Sequence, residues 1–248
     1  MSAPLVTLAV PSFNQGRYLG QALESIFAQD VPVEVYVADG GSSDDSREVI
    51  AGYADRLLGS RSHKDRGQAA AINEGIAAGT APYVAWLNSD DWLAPGGLRR
   101  LVDALEADRH APFAYGRVWN AFEGSAKRSA VFVRPWSEWL MAQLCIVSQP
   151  GTLVRRSAWE ALGGVDESLH LAMDYDLWWR AYRQGGRPHF VDDFVAVNRV
   201  HGETKTSTLR ARHYREAMSV VKRHYGRVPL KWYLAQPYAV WYRTLRGR

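Results

Sequence analysis

The sequence contains a single cysteine, Cys145, among its 248 residues. One thiol cannot form an intramolecular disulfide or a thiolate metal site, and this usage fits a reducing cytosol. Cys145 lies in the apolar run Leu144–Val147, so we expect it to pack in the core. Long apolar segments are also missing, because no stretch reaches the roughly 18 unbroken apolar residues that a membrane span needs.

A basic N-terminal segment is missing as well. Met1–Pro4 leads directly into a strand-like run, so no signal peptide is predicted. We expect a cytoplasmic protein, with the inner face of the cell membrane as a further location left open. Glycine and proline are not in excess and charged residues make up 23%, so disorder is not predicted. With 47% hydrophobic residues the chain can build one large domain with a full core.

Acidic residues are almost absent from the C-terminal segment. From Thr208 onward the sequence has ten Lys or Arg residues and one acid, Glu216. Tryptophan and tyrosine alternate with these basic residues, a pattern that suits the headgroup layer of an anionic membrane. Two alternatives remain open: a helix that packs on the main domain with a solvated charged face, and nucleic-acid binding. No nucleic-acid motif accompanies the segment, so residues 207–248 are predicted to be a helical extension with peripheral membrane contact and no nucleic-acid partner.

Strand and helix patterns alternate through the first 92 residues. Short β-branched runs predict the strands, and apolar residues at helical spacing predict the helices between them. The predicted strands are 5–10, 33–38, a weak one near 57, and 83–87, and the predicted helices are 19–27, 44–53 and 68–78. Such alternation predicts a parallel sheet covered by helices, in which ligands lie beyond the carboxyl ends of the strands.

After Trp92 the alternation weakens, and the second half is predicted to be mixed. Helices are predicted at 97–107, 136–144, 174–184 and 207–225, and strands at 113–119, 129–133 and 194–197. The predicted fold class is therefore α/β: a mostly parallel, Rossmann-like sheet flanked by helices, followed by a mixed C-terminal half and a basic helical tail. No linker is long enough to split the chain.

An acidic cluster, Asn88–Asp91, follows directly on the predicted strand 83–87. Two adjacent carboxylates repel each other unless a cation or a hydrogen-bond donor satisfies them. Mg²⁺ and Mn²⁺ prefer oxygen ligands and are commonly shared between carboxylates and substrate phosphates. The alternative is that Asp90 or Asp91 caps a following turn.

Four segments together carry a family resemblance. They are Pro11–Asn14, Val37–Asp44, Asp65–Gly75 and Trp86–Asp91. In order and spacing they resemble the family 2 glycosyltransferases over roughly residues 4–200. This resemblance implies a GT-A fold over residues 1–206, in which residues 1–92 bind a nucleotide sugar and residues 93–206 bind the acceptor. It also implies an enzyme that transfers the sugar to an acceptor hydroxyl with inversion.

The resemblance further implies a donor site. Contacts with the nucleotide sugar are expected from Pro11, Phe13, Asn14, Asp39, Asp65, Arg66, Asn88 and Asp90. Asp39 matches the acid that accepts a pyrimidine N–H, which favours a UDP or dTDP donor. Asp91 matches the metal-binding acid for Mn²⁺ or Mg²⁺, although Asn88 or Ser89 stands where that motif has its first acid.

A second acidic element, Met173–Asp176, opens a predicted helix and resembles the family's catalytic-base motif. Asp174 is predicted to accept the proton of the acceptor hydroxyl as it attacks the anomeric carbon. Asp176 is two residues further on and points elsewhere on a helix, so it is predicted to pair with Arg180. Trp178 is a candidate sugar contact, with core packing as the alternative, and Gln149 is a candidate acceptor contact.

His201 and Lys205 follow the last predicted strand. Histidine binds metals and donates to phosphates, so His201 is predicted to complete the metal site with Asp91, with an ordinary surface histidine as the alternative. Lys205 is a candidate contact on the sugar or acceptor side, where it would add positive charge.

Two other functions stay open. A sugar nucleotidyltransferase would need a glycine-rich basic phosphate loop after the first strand, which Pro11–Arg17 matches poorly. A non-catalytic nucleotide-sugar or glycan-binding module would not need Asp91 and Asp174. The favoured prediction is an enzyme of polysaccharide, O-antigen or other cell-envelope glycan synthesis, acting on a glycan or lipid-linked acceptor.

Overall fold

The computed structural model describes residues 3–202 and 209–242 of the chain. Its N-terminal half contains four parallel strands in the order β3–β2–β1–β4. They are β1 (Val6–Ser12), β2 (Val33–Asp39), β3 (Gly59–Ser62) and β4 (Tyr83–Trp86). Three helices connect them: α1 (Gly16–Phe27), α2 (Ser46–Gly52) and α3 (Gln68–Ala78). The predicted alternation of strands and helices is thus confirmed for this half.

The C-terminal half continues the same sheet with antiparallel joins. Its strands are β5 (Trp92–Leu93), β6 (Phe113–Phe122), β7 (Arg128–Ala130), β8 (Thr152–Arg155) and β9 (His189–Val200). β8 joins the two halves, because it pairs antiparallel with both β4 and β6. β9 lies parallel to β6 and carries β5 on its other edge. The mixed character predicted for this half is confirmed.

Six helices accompany the C-terminal half within the described residues. They are α4 (Gly97–Ala107), α5 (Glu138–Gln143), α6 (Arg156–Leu162), α7 (Met173–Gly185), α8 (Arg210–Tyr225) and α9 (Leu230–Gln236), with a π-helical segment at Pro237–Tyr242. None of the helices in the described ranges is long and apolar enough to cross a membrane.

The core lies on both faces of the sheet, and β4 shows why. Tyr83 and Ala85 belong to the cluster that packs under α1 and α4, whereas Val84 and Trp86 belong to the cluster that packs under α3 and α7. Side chains of a strand point alternately to opposite faces, so an unbroken apolar strand needs helices on both sides. All four of these residues are at most 4% exposed.

Trp178 lies inside the second of these clusters and does not reach the solvent. Its side chain is 0% exposed, its ring stacks on Trp86 at a centroid distance of 5.8 Å, and it contacts Phe113 at 4.8 Å. The prediction that Trp178 contacts a sugar is therefore wrong, because helix α7 turns this ring into the core. The alternative of core packing is confirmed.

Helix α8 packs into the same core. Ala217, Val220 and Val221 are at most 2% exposed and belong to the cluster that contains Trp178 and Trp179. The boundary predicted at residues 206/207 therefore does not separate two packing units, since α8 covers α7 directly. The apolar stripe of α8 faces inward, and its basic residues lie on the remaining surface.

Candidate active site

A cleft of about 830 Å³ opens beyond the carboxyl ends of β1, β2 and β4. Both halves of the chain line it, as does His213 of α8. Of the predicted site residues it contains Pro11, Phe13, Asp65, Arg66, Asn88, Asp90, Asp91, Gln149 and Asp174. Its volume is in the range of cavities that enclose small-molecule ligands. The predicted site residues Asn14 and Asp39, at the ends of β1 and β2, do not line it.

The acidic loop after β4 is held by β9. Asp91 Oδ1 accepts the backbone N–H of Arg199 at 2.9 Å, and the Arg199 side chain donates to the Asp90 carbonyl, also at 2.9 Å. The guanidinium of Arg199 lies over the rings of Tyr18 and Trp92, 4.5 and 4.7 Å from their centroids. Arg199 thus fixes both acids, a role that the sequence did not reveal.

Burial and the neighbouring charge act together on Asp91. Its carboxyl is 3% exposed, and this burial, followed by the charge of Asp90, raises the pKa of Asp91 well above its ordinary value. A divalent cation at this point would offset the repulsion, so the donor set fits an ion held by Asp91 together with phosphate oxygens. Within residues 3–202 and 209–242 no cluster of three or more His, Cys, Asp or Glu residues could hold a metal alone.

His201 lies against Asp90. Its Nε2 is 2.9 Å from Asp90 Oδ2, and its ring, 6% exposed, packs on Tyr18 with the centroids 5.0 Å apart. In this arrangement the histidine is engaged by Asp90, and a metal site shared by His201 and Asp91 stays a prediction. Lys205, the other predicted residue of this loop, lies outside the described residues.

An amide network joins the acidic loop to the acceptor side of the cleft. Asn88 accepts a hydrogen bond from Gln68 Nε2 at 2.7 Å and donates to Asp91 Oδ2 at 3.3 Å. Gln149, 9% exposed, donates to the Trp86 carbonyl at 2.7 Å and accepts from Asn88 at 3.4 Å. Asn88 therefore supplies a donor to Asp91 where the motif usually has a second acid.

Two loops form the nucleotide side of the cleft. Phe13 is 58% exposed and lines the opening, while Pro11 lies buried at the end of β1. Asp65 pairs with Arg61 at 3.0 Å and accepts the Gly67 N–H at 2.8 Å, which shapes the turn before α3. Arg66 remains exposed and pairs with Glu167 at 3.1 Å. An exposed aromatic ring beside cationic side chains suits a base and a phosphate.

Asp39 is placed differently from the prediction. It is 0% exposed, and its carboxylate accepts hydrogen bonds from the backbone of Gly41 and Ser42 and from the hydroxyls of Ser42 and Ser62. Burial alone would raise the pKa of Asp39, but these hydrogen bonds outweigh it and hold the pKa below its usual value. The turn after β2 and Ser62 of β3 thus supply four donors to the buried carboxylate, and its contact with a pyrimidine N–H stays a prediction.

Asn14 also serves the turns rather than the cleft. Its backbone N–H donates to Ser42 Oγ at 2.7 Å, and its side-chain Oδ1 accepts the Ser43 N–H at 2.9 Å. Its φ of 52° lies in the left-handed region, which asparagine tolerates better than most residues. The predicted nucleotide contact of Asn14 is replaced by a bond between the loops that follow β1 and β2.

Asp174 lies in the first turn of α7 and lines the same cleft as the acidic loop. Its Oδ1 accepts the Tyr175 N–H at 2.8 Å. Burial raises the pKa of Asp174, while the Tyr175 N–H and nearby His213 act in the opposite direction. Asp176 does not line the cleft and pairs, as predicted, with Arg180 at 2.7 Å. The cleft therefore brings together carboxylates from both halves of the chain.

Two residues of the cleft were not expected from the sequence. Cys145 lines the cleft beside Asp174 instead of lying fully in the core, and its thiol donates to the Val147 carbonyl at 3.2 Å. Burial, followed by the charge of Asp174, raises the pKa of Cys145. His213 enters from α8. The lone cysteine and the basic tail carried no signal for these positions, because each depends on a contact between distant segments.

Comparison with known proteins places this cleft in context. The family model described as glycosyl transferase family 2 matches residues 7–162. The chain is 26% identical to an uncharacterized glycosyltransferase of Rickettsia typhi over 219 residues, covering 83% of this chain and 67% of that protein. It is 25% identical to the chondroitin synthase of Escherichia coli over 245 residues, covering 94% of this chain and 34% of that protein. The chain therefore spans about two thirds of the first relative and one third of the second.

Solved structures show the same architecture. The mannosyltransferase PcManGT from Pyrobaculum calidifontis, in complex with GDP-Man and Mn²⁺, superposes with a TM-score of 0.71 at 21% identity, covering 99% of this chain and 74% of that one. Residues 1–349 of S. aureus TarS, in complex with UDP-GlcNAc, give a TM-score of 0.71 at 18% identity, covering 89% and 66%. These likenesses show the GT-A fold. Because the family model covers more than half of its length, the chain belongs to glycosyl transferase family 2.

Proposed function

We propose that this chain transfers a sugar from a nucleoside diphosphate sugar to an acceptor hydroxyl with inversion at the anomeric carbon. One observation carries the proposal: Asp91 of the acidic loop and Asp174 of α7 line the same cleft. Displacement with inversion needs a base on the side opposite the leaving group. A binding module has no use for a second carboxylate in the cleft whose pKa is raised by burial.

The proposed roles divide between residues that bind the donor and one residue that acts as the base. Phe13, Asp65 and Arg66 hold the nucleotide, and Asp91 with Asp90 holds the diphosphate end. A divalent cation, Mn²⁺ or Mg²⁺, would supply positive charge to the leaving diphosphate. Asp174 accepts the proton of the acceptor hydroxyl while that oxygen forms the new bond to the anomeric carbon.

The donor base is part of this proposal. A UDP or dTDP donor was favoured because Asp39 matches the acid that accepts a pyrimidine N–H. That carboxylate already accepts hydrogen bonds from Gly41, Ser42 and Ser62, so it supports a pyrimidine donor less strongly than the sequence suggested. The named complexes of related folds contain UDP-GlcNAc in one protein and GDP-Man in another. We propose that the acceptor is a glycan in the synthesis of a cell-envelope or similar polysaccharide. Relatives named chondroitin synthase and hyaluronan synthase support this proposal.

Donor binding is expected to depend on the cation through Asp91. A panel of UDP, dTDP and GDP sugars with Mn²⁺ should contain a donor that, at about a hundredfold excess over its Kd, raises Tm by roughly 5–10 °C. Removing the cation with EDTA, or introducing Asp91→Asn, should abolish that rise. Asp103→Asn on the exposed face of α4 is the matched control and should keep it. A full rise in Asp91→Asn would contradict the assignment.

We also propose that the C-terminal helices contact an anionic membrane. Leu230, Tyr233 and Leu234 form one face of α9 and are 69%, 52% and 72% exposed. Trp232 points inward and donates to the Ala142 carbonyl at 2.8 Å. Lys231 is on the same helix, and the sequence continues with Arg243, Arg246 and Arg248. Apolar side chains surrounded by cations suit the surface of anionic lipids.

Vesicle binding tests this contact. The protein should sediment with vesicles that contain phosphatidylserine and much less with neutral phosphatidylcholine vesicles, and added salt should weaken the association. The double variant Leu230→Glu/Leu234→Glu should stay in the supernatant. Leu58→Glu, at an exposed leucine beside β3, should behave like the parent. Equal sedimentation of both variants would exclude α9 as the contact.

A further inference from the structure

Glu216 binds the loop that leads into the helix of Asp174. One oxygen of its carboxylate, Oε2, accepts the backbone N–H groups of His170, Leu171 and Ala172 at 3.0, 2.8 and 3.2 Å. The other oxygen accepts Arg212 Nε at 2.9 Å. The Glu216 side chain is 14% exposed. A carboxylate with four donors is well compensated for this partial burial.

This contact anchors the three residues directly before α7. The residue at the N-cap position is Ala172, which has no side chain to accept a hydrogen bond from the first turn. Within that turn, the Tyr175 N–H is accepted by Asp174 Oδ1. The N–H of Ala172 itself is accepted by Glu216 of α8, 44 residues further along the chain. A carboxylate at this end also interacts favourably with the helix dipole.

We propose that Glu216 is a positioning residue for Asp174, acting through the backbone of residues 170–172. Asp174 is two residues beyond Ala172, and the first helical bond of α7 runs from the Asp176 N–H to the Ala172 carbonyl at 3.0 Å. A shift of the loop therefore shifts the base. This inference rests on the proposed role of Asp174. It assigns a role to Glu216, for which the sequence predicted none.

The same helix reaches the cleft directly. His213 precedes Glu216 by three residues, so both side chains leave one face of α8, and His213 lines the cleft near Asp174. The position of α8 thus sets the loop before the base and one of the charges beside it. Among the ten cations from Thr208 onward, the single acid is placed where a negative charge is required.

Turnover measures the positioning role. Glu216→Ala should lower kcat for release of the nucleoside diphosphate by roughly 10- to 100-fold, because a displacement of about 1 Å can cost that much. KM for the donor should change little, since the proposed donor contacts belong to other segments than residues 170–172. Glu216→Gln keeps an acceptor oxygen and should restore most of kcat. Arg212→Ala removes the neighbour of Glu216 without touching the loop and should match the parent.

Two further readouts need no substrate. Amide exchange of residues 170–172 should accelerate in Glu216→Ala and stay at the parent rate in Arg212→Ala. Alkylation of Cys145, the only thiol in the sequence, should also accelerate, because the charge of Asp174 opposes thiolate formation only while Asp174 is held beside it. Asp174→Asn marks the rate expected when that charge is absent.

The outcomes separate the two proposals. If the parent releases no nucleotide from any donor, the proposed function fails, and the exchange and alkylation rates still decide the role of Glu216. If Glu216→Ala exchanges and alkylates like Arg212→Ala, the inference is overturned even if the parent is active. A fall in kcat that equals the loss of folded protein, with unchanged KM and Cys145 reactivity, overturns it as well.

Discussion

Asp174→Asn is expected to lower the rate of sugar transfer by roughly 10²- to 10⁴-fold, the usual contribution of a positioned general base. Asparagine has the same shape and can keep the hydrogen bond from the Tyr175 N–H, but it cannot accept a proton. The loss should appear in kcat, with donor binding retained, because the proposed donor contacts are made by other residues. Steady-state kinetics with the donor identified by thermal shift measure it.

The same substitution should not destabilise the protein at neutral pH. The folded-state pKa of Asp174 is raised by burial, so the ionised carboxyl is disfavoured by folding. Its contribution to stability is complete below the unfolded-state pKa and is lost as the pH rises through the folded-state pKa. Asparagine carries no charge to bury, so Tm should be equal or higher. A large fall in Tm would mean that the lost activity reports unfolding.

The pH profile adds a control within the parent enzyme. Activity needs the ionised base, so kcat should fall as the pH is lowered through the raised pKa of Asp174, above the range of an ordinary aspartate. His213 and Cys145 lie near this carboxyl, so His213→Gln and Cys145→Ser should change the pH at which kcat falls without abolishing the fall. In Asp174→Asn this fall in kcat should be absent, and in Asp103→Asn it should occur at the same pH as in the parent.

How far the sequence predicts this structure depends on the range of the contacts. Helices α3 and α4 were predicted with their observed limits, because their apolar spacing and bounding glycines are local signals. β5 and β8 were not predicted. They have two and four residues, and their hydrogen bonds go to strands that are distant in the sequence. A short run without a periodic pattern does not show that such partners exist.

The same distinction between local and distant contacts applies to the residues of the candidate site. Asp90, Asp91 and Asp174 were recognisable because they belong to contiguous motifs. Asp39 was assigned to the base from its motif, but local competition decides its contacts: Gly41 and Ser42 present donors within three residues. Arg199 and Glu216 act on backbone groups of other segments, and no spacing pattern encodes such a contact.

The C-terminal tail shows most clearly what the sequence does not predict, namely which surface a helix packs against. A basic, aromatic segment with amphipathic spacing indicates that one face of a helix is covered, but several surfaces could cover it. In the structure α7 covers the apolar face of α8, and Arg223 and His224 of α8 converge on Asp176. Part of the basic character of the tail, which suggested a membrane-facing or solvated surface, is therefore paired with the buried carboxylate of Asp176.

That carboxylate gives the largest expected effect on stability. Asp176 has a side chain that is 1% exposed and contacts two guanidinium groups and one imidazole: Arg180 at 2.7 Å, Arg223 at 3.1 Å and His224 at 2.8 Å. Burial alone would raise the pKa of Asp176, but His224 and Arg180 outweigh it and lower the pKa. Removing one partner of a buried ion pair leaves the others uncompensated, which typically costs about 3–5 kcal/mol.

Asp176→Ala should therefore lower the free energy of unfolding by about 3–5 kcal/mol, measured by urea denaturation at neutral pH. Asp166→Ala is the matched control, because Asp166 lies 3.5 Å from the same Arg223 but is 31% exposed, and it should cost no more than about 1 kcal/mol. Since the folded-state pKa of Asp176 is lowered, its contribution is present above the unfolded-state pKa and lost as the pH falls through the folded-state pKa. The difference between parent and Asp176→Ala should shrink on acidification. Equal losses in both variants would instead assign the attachment of α8 to the apolar contacts of Ala217, Val220 and Val221.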